Sequence, residues 1–427
     1  MNRDYLKQIM IDQKEMYLNN PIVRRNYQLE DNVNYCFVGI RRTGKSYMMY
    51  QLMKNLQDEG VSADQIIYVN FEDERLLEMS VDDLNILLEI GLELAGADNK
   101  LYLFLDEIQN IEGWEKFVRR VADMKYRISI TGSNSKMLSS EIASTLGGRF
   151  MLVNVYPYSF SEYLSAQGKE KDYLGVISTK DRADVLGMYA RYVEYGAFPE
   201  LVEIRNKREY LNSIYQTIYL GDIITRNKIT NQFAIRIILK KIAESVTRPL
   251  SFSRLTNILK STGTVIGKQT VINYVGYMMD SYLLFALQNY AAKLVEKETS
   301  PKYYFMDTGL LGLMLMDCAS AQLENLVAIE LIRRYGTEKV FYFENNVEID
   351  FYVPEEKLAI QVSMQVLDNI DTRERETGAF VKLRSYIDDA ACLLLTNSEE
   401  AELECEGITI SVVPVWKWLL QEDNISK

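Results

Sequence analysis

Between residues 35 and 131, short apolar runs alternate with stretches whose apolar positions recur every three or four residues. The runs are Tyr35–Gly39, Ile66–Phe71, Leu101–Leu105 and Ile128–Thr131. Each has the length of a strand and is bounded by polar or turn residues. Between the first two runs, Lys45–Leu56 places Met48, Met49, Leu52, Met53 and Leu56 on one helical face, and Gly60 follows it. Leu84–Leu94 and Gly113–Met124 read as helices on the same grounds. Strands that are apolar throughout, separated by helices, predict a parallel sheet covered by helices on both faces. The expected fold class of this part is α/β.

Further along, the pattern changes. Arg182–Tyr195 and Lys207–Ile223 are long amphipathic helical stretches. Ser251 is placed to cap a helix running to Lys260, Ser261-Thr262-Gly263 to turn, and Lys268–Met279 to form a second helix. Tyr282–Leu287 would then begin a strand. Beyond residue 340 strand patterning returns at Val340–Glu344, Glu348–Val353, Leu358–Val362, Ala391–Thr396 and Thr409–Val413. These shifts predict three domains: an α/β domain over 1–165, a helical domain over 166–300 and a second α/β domain over 301–427.

Charge sharpens this division. The chain has 427 residues, 48 basic and 60 acidic, for a net charge of −12. The three blocks carry net charges near −6, +6 and −12 in order, with the boundaries drawn at Ser165 and Tyr290. An acidic chain does not attract a polyanion as a whole, so any nucleic-acid site has to be local. With no histidine at all, Ser-His-Asp and Cys-His catalysis and His-ligated metals are excluded. The four cysteines, Cys36, Cys318, Cys392 and Cys405, form no CxxC pair, which argues against a zinc site. Met1–Asn20 has no apolar core of a signal peptide, and no apolar window reaches the roughly eighteen residues of a membrane span. The expectation is a reduced, cytoplasmic protein without membrane contact.

One motif names a ligand. Gly39-Ile40-Arg41-Arg42-Thr43-Gly44-Lys45-Ser46 fits G-x-x-x-x-G-K-[ST], between an expected strand and an expected helix. Gly39, Arg42, Thr43 and Gly44 would shape a loop whose backbone N–H groups face phosphate. Lys45 would reach the β- and γ-phosphates of ATP, and Ser46 would hold Mg²⁺. Leu101–Leu105 delivers Asp106 and Glu107 at the carboxyl end of a strand, where ligands bind in open α/β sheets. Asp106 is expected at the metal and Glu107 at the attacking water. Ile130–Ser135 ends the neighbouring strand. Asn134 is the first candidate there to orient water and sense the γ-phosphate, with Thr131 and Ser133 as alternatives. Arg149 could supply an arginine-finger charge, in cis or from another subunit.

Together, Gly39–Ser46, Phe71-Glu72-Asp73-Glu74-Arg75-Leu76, Leu105–Gln109 with Gly113-Trp114-Glu115, Thr131–Ser135, Leu146–Arg149 and Pro157–Glu162 resemble the prokaryotic AAA-superfamily P-loop ATPases. In that family the ATPase is fused to a helical winged-helix segment and a C-terminal nuclease-like domain. Tyr195–Glu200, Gly221–Arg226 and Tyr304–Leu310 are similar to that second half, so the resemblance spans most of the chain. It implies ATP hydrolysis with Mg²⁺, and leaves pathway, protein partner and oligomeric state open.

Two segments of the second half carry chemistry of their own. Ile223–Met279 has nine basic residues against the single acidic Glu244. Two helices joined by a Gly-containing turn read as helix-turn-helix, which would present Lys268, Gln269, Thr270 and Asn273 to duplex DNA. The same fold serves equally as a packing module, and Val271, Ile272, Val275 and Met278 are expected in its core. Glu344–Val353 followed by Leu358–Ser363 resembles the PD-(D/E)xK nuclease core. Asp350 stands at the metal-binding Asp, and Glu330 or Glu324 would be the helical Glu. Gln361 and Ser363 stand where that core needs Glu and Lys, so nuclease activity is not expected.

Overall fold

The structure, a computed structural model, describes residues 1–30, 32–96, 99–133, 146–169, 171–175 and 178–421. The chain divides into two compact units, Met1–Tyr156 with Asp280–Tyr282, and Pro157–Met279 with Leu283–Lys427.

The first unit opens with helix α1 (Arg3–Asn19), whose N-cap Asn2 side chain accepts from the Asp4 and Tyr5 N–H groups. Strands β1 (Asn34–Val38), β2 (Ile66–Asn70), β3 (Tyr102–Asp106), β4 (Arg127–Gly132) and β5 (Phe150–Asn154) form one sheet in the order β2-β3-β4-β1-β5. All its pairings are parallel. Helices α2 (Lys45–Asp58), α3 (Leu84–Ala95) and α4 (Trp114–Asp123) connect them. All five β1 residues are buried, as are Met48, Met49, Tyr50 and Met53 of α2. The expected α/β sheet is thus present, with element ends within two residues of those read from the pattern. β5 was not expected. Phe150–Val153 is a short apolar run, yet Met151 and Leu152 are exposed, and the strand pairs with β1 along its whole length.

In the second unit, helices α5 (Phe160–Ala166), α6 (Thr179–Tyr195), α7 (Lys207–Gln216), α8 (Gln232–Ala243), α9 (Phe252–Ser261) and α10 (Lys268–Asp280) come first. The Ser251 side chain caps α9, accepting from the Arg254 N–H at 3.2 Å, as the sequence predicts. The helix expected to continue to Ile223 instead widens into a π-helix over Thr217–Thr225. There Ile218, Tyr219, Ile223 and Ile224 are buried together with Asp222, which pairs with Arg226 at 3.1 Å.

Strands β6 (Leu284–Asn289), β7 (Lys302–Phe305), β8 (Phe341–Glu344), β9 (Glu348–Val353), β10 (Leu358–Ser363), β11 (Ala391–Thr396), β12 (Ala401–Cys405) and β13 (Ile408–Pro414) form one mixed sheet. Its order is β12-β13-β11-β10-β9-β8-β6-β7. β6 pairs antiparallel with β7 and parallel with β8. The boundary expected at residue 300 therefore falls within a sheet. Such non-local pairing leaves no trace in local periodicity. Helices α11 (Ala319–Tyr335), after β7, and α12 (Ile370–Leu383), after β10, are the longest helices between these strands. Phe380 and Leu383 of α12 pack into a core with Ile349, Ala359, Leu394, Ile410 and Val412. Among the described residues no helix is long and apolar enough to cross a membrane.

Candidate active site

The loop after β1 is shaped by residues that accept unusual backbone angles. Gly39 (φ 147°), Arg42 (φ 67°) and Gly44 (φ 92°) all have positive φ. A Cβ on Gly39 would stand 2.3 Å from the Val155 carbonyl oxygen, so only glycine fits. Gly44 is the N-cap of α2 and has no side chain to satisfy the first N–H groups of that helix. Those donors are the ones an anion uses. Arg25 braces the loop from beneath. Its buried guanidinium donates to the carbonyls of Thr43 at 3.0 Å and Tyr156 at 2.9 Å. Thr43 is itself fully buried, with its hydroxyl donating to the Ile40 carbonyl.

Lys45 lies within this cradle. Its Nζ donates to the carbonyls of Gly39 and Ile40, each at 3.1 Å, and is 3.9 Å from Glu107. Burial holds this ammonium below its ordinary value, opposed by the carboxylates of Glu107 and Asp106. The order of the sheet explains how the carboxylates reach it. β3 ends in Asp106 and is separated from β1 only by β4, which contributes Thr131.

Asp106 is almost fully buried and is held from three elements. Tyr68 of β2 donates to its Oδ2 at 2.8 Å, Thr131 donates to its Oδ1, and Ser46 of α2 bonds to it as well. Burial pushes its carboxyl up, as does neighbouring Glu107, while those three donors pull it down. Tyr50 of α2 extends the set, with its hydroxyl 3.1 Å from that of Tyr68. Glu107 adopts φ 52°, a left-handed conformation, and its N–H donates to the Thr131 hydroxyl at 2.8 Å. Burial would raise its carboxyl. Lys45 first, then Gln109 and Arg41, reverse that and hold it below the usual range, so it is ionised. Gln109 bonds to it directly, and Arg41 is anchored by Glu72 at 2.8 Å.

The structure therefore brings together Gly39, Arg42, Thr43, Gly44, Lys45, Ser46, Asp106 and Glu107. It adds Thr131, the alternative at the end of β4, as the side chain touching both acidic positions. Asn134 lies outside the described residues. Arg149 is elsewhere. It precedes β5, which runs parallel to β1 in the register Asn34↔Phe150, so it lies at the amino end of the strands and the loop at their carboxyl end. Five residues of strand, about 16 Å, separate the two ends. Its guanidinium pairs with Asp123 at 2.6 Å. Tyr68, Tyr50 and Arg25 went unread because no local motif marks them. The Oδ2 partner, for instance, is 38 residues from Asp106.

Two motifs of the second half meet as a structural joint. Asp307 is buried and accepts from the N–H groups of Ala197 at 2.8 Å, Gly309 at 2.9 Å and Leu310 at 3.2 Å. Burial raises its carboxyl to about 6 against those bonds. In the C-terminal α/β part, Glu324 rather than Glu330 joins Asp350, whose charge helps to raise it after burial. Glu330 pairs instead with Arg334 at 2.9 Å and Arg333 at 3.3 Å. Gln361 is committed to strand pairing. Its Oε1 accepts from the Asp350 N–H at 2.9 Å, and its Nε2 donates to the Glu348 carbonyl at 3.2 Å. Ser363 donates to the Gln365 carbonyl.

A glycine-shaped loop at a helix N-terminus, faced by two buried carboxylates from the next strand but one, defines a P-loop nucleotide-binding domain. Residues 32–164 match the family model described as an AAA domain, and residues 187–320 match one described as a domain of unknown function. The chain belongs to one family with an uncharacterized protein of Methanocaldococcus jannaschii. That relative is 32% identical over 432 residues, covering 97% of this chain and 95% of its own. An uncharacterized protein of Haemophilus influenzae is 30% identical over 394 residues, covering 90% and 93%. Among solved structures, a Walker-type ATPase of Pyrococcus abyssi aligns with TM-score 0.44 at 15% identity, over 70% of this chain and 99% of that one.

Proposed function

We propose that the first unit binds ATP with Mg²⁺ and hydrolyses it, and that the nucleotide state sets the pose of the helical segment 166–300. The observation that carries this reading is the buried set Lys45, Asp106, Glu107 and Thr131, with half-buried Ser46 beside it, around one loop. The residues fit the ligands. The loop N–H groups and the uncapped start of α2 suit phosphate oxygens, and the hydroxyl of Ser46 beside Asp106 suits a hard cation. Ser46 and Asp106 would hold Mg²⁺, which would supply neutralisation of phosphate charge.

The protein's own groups account for the rest. Lys45 exchanges the carbonyls of Gly39 and Ile40 for phosphate oxygens and offsets their charge. Glu107, kept ionised by Lys45, orients the attacking water and accepts its proton. Thr131 fixes the backbone of Glu107 and one oxygen of Asp106, so both carboxylates are aimed before substrate arrives. Arg149, far from its own loop, would act only on a neighbouring subunit. Phosphate release from ATP with Mg²⁺ tests the reading. Turnover should be lost in Lys45→Ala through weakened nucleotide binding.

A second reading is favoured by charge. Between Ile223 and Met279, Lys228, Arg236, Lys240, Arg248, Arg254, Lys260 and Lys268 are exposed, as are Gln269 and Asn273. Arg226 and Lys241 are paired locally with Asp222 and Glu244. Helices α9 and α10 followed by the β6–β7 hairpin have the order of a winged helix, which would present α10 to duplex DNA under control of the bound nucleotide. Filter binding across a salt series tests this. Binding that weakens steeply with salt supports it, and salt-independent binding refutes it.

A further inference from the structure

The C-terminal α/β part holds a cluster that the ATPase does not use. Lys302, the first residue of β7, has a side chain with no exposed surface. Its Nζ lies 3.0 Å from Glu348, 3.8 Å from Asp350 and 3.9 Å from Glu324. Yet it makes no hydrogen bond of good geometry. The face of the Tyr342 ring closes over it at 5.3 Å.

These are the positions at which the nuclease-like core would hold a divalent cation. The residues present do not fit one. A divalent ion sits about 2.0–2.6 Å from each carboxylate oxygen it binds. An ion between Glu324 and Asp350 would therefore share the small space already filled by Nζ, cation against cation. Gln361, the remaining position of the set, is spent on the β9 backbone. Among the described residues, no group of three or more acidic or cysteine side chains is arranged to hold a metal.

We propose that Lys302 is a built-in counter-ion. Its ammonium takes the place of the divalent cation, so Glu324 and Asp350 are held together without metal, and this core performs no metal-assisted hydrolysis. It follows that the carboxylates form a latent metal site, masked by one side chain that comes from a different strand. A buried carboxylate left without its partner charge is strongly destabilising, so removing the ammonium leaves a site that a hard cation would fill.

The test uses the full chain without nucleotide and Tb³⁺ as the probe. Tyr304, which donates to Glu324 at 2.9 Å, and Tyr342 are close enough to sensitise its emission. Emission that is lost on adding Asp350→Asn reports this site rather than the nucleotide site. The wild type should show none. Lys302→Met should gain it, with affinity for Tb³⁺ at least about tenfold above wild type, a difference of about 1.4 kcal/mol. Asp350-dependent emission from the wild type would overturn the proposal, because the site would then take metal with the lysine in place. Folded Lys302→Met without emission would overturn it too. If Lys302→Met is unfolded in a thermal melt, refolding with Tb³⁺ should restore the transition, and failure to do so also refutes the counter-ion role.

Discussion

Replacing Thr131 by valine tests the coupling of the two acidic positions. The side chain is fully buried and nearly the same shape in both residues, so no cavity opens. What is lost is one hydroxyl with two bonds: the donor to Asp106 Oδ1, and the acceptor for the Glu107 N–H at 2.8 Å. A hydrogen bond to a charged group contributes about 1.5–3 kcal/mol, and an orphaned buried N–H costs about 1–3 kcal/mol. Since both losses arise at one site, we expect about 3 kcal/mol. For a unit of this size that is a fall in Tm of roughly 6–12 °C. Asp106 should also become harder to ionise, because the Thr131 bond is one of the three that lower it. The Mg²⁺ requirement should rise accordingly. Glu107 would lose the bond that fixes its left-handed backbone, and a displacement of about 1 Å costs on the order of 100-fold in rate. Thr131→Ser keeps the hydroxyl and should retain both stability and turnover. The assays are a thermal melt and phosphate release against Mg²⁺ concentration. Thr131→Val that melts within about 2 °C of wild type and turns over at its rate would refute this reasoning.

Gly196→Ala should unfold or severely destabilise the second unit. Gly196 has φ 76°, and a Cβ there would stand 2.0 Å from Asp307 Oδ1. The combined strain and overlap amount to about 3 kcal/mol or more, readable by urea denaturation. Burial raises the Asp307 carboxyl from 3.8 to about 6, so the folded chain keeps a proton that the unfolded chain has already released. Its contribution to stability is complete below pH of about 4 and is lost as pH rises through 6. The Tm of wild type relative to Asp307→Asn should fall across that window, and a flat difference would exclude the shift. In the basic segment, Arg254→Ala with Lys268→Ala should reduce the salt dependence of DNA binding by about two phosphate contacts, measured by filter binding.

The sequence made the loop legible because its chemistry is local. Gly39, Gly44, Lys45 and Ser46 lie within eight residues, and Asp106-Glu107 ends an apolar run. The parallel strands were legible because burial on both faces writes continuous apolar stretches. β5 was not, because an apolar run of only four residues, Phe150–Val153, does not tell a strand from a helix, and neither was the joining of β6 and β8, which depends on residues some fifty positions apart. The side chains that aim the carboxylates were hidden for the same reason. Tyr68 and Thr131 meet Asp106 across the sheet from sequence separations of 38 and 25 residues. Lys302 was invisible as part of the acidic cluster, since its partners sit on α11 and β9. Departure from the nuclease pattern was readable at Gln361 and Ser363, but only the fold shows what those residues do instead.

The most direct test of the account is phosphate release from ATP with Mg²⁺ by wild type and Glu107→Gln, alongside a measurement of ATP binding to both. Glu107 is the ionised group held beside Lys45, and the amide keeps its size while removing its capacity to take a proton. The account predicts that wild type turns over, and that Glu107→Gln binds ATP as tightly but releases phosphate at least about 100-fold more slowly. Equal rates in the two proteins would contradict the assignment of Glu107, and ATP binding without any turnover by wild type would contradict hydrolysis itself.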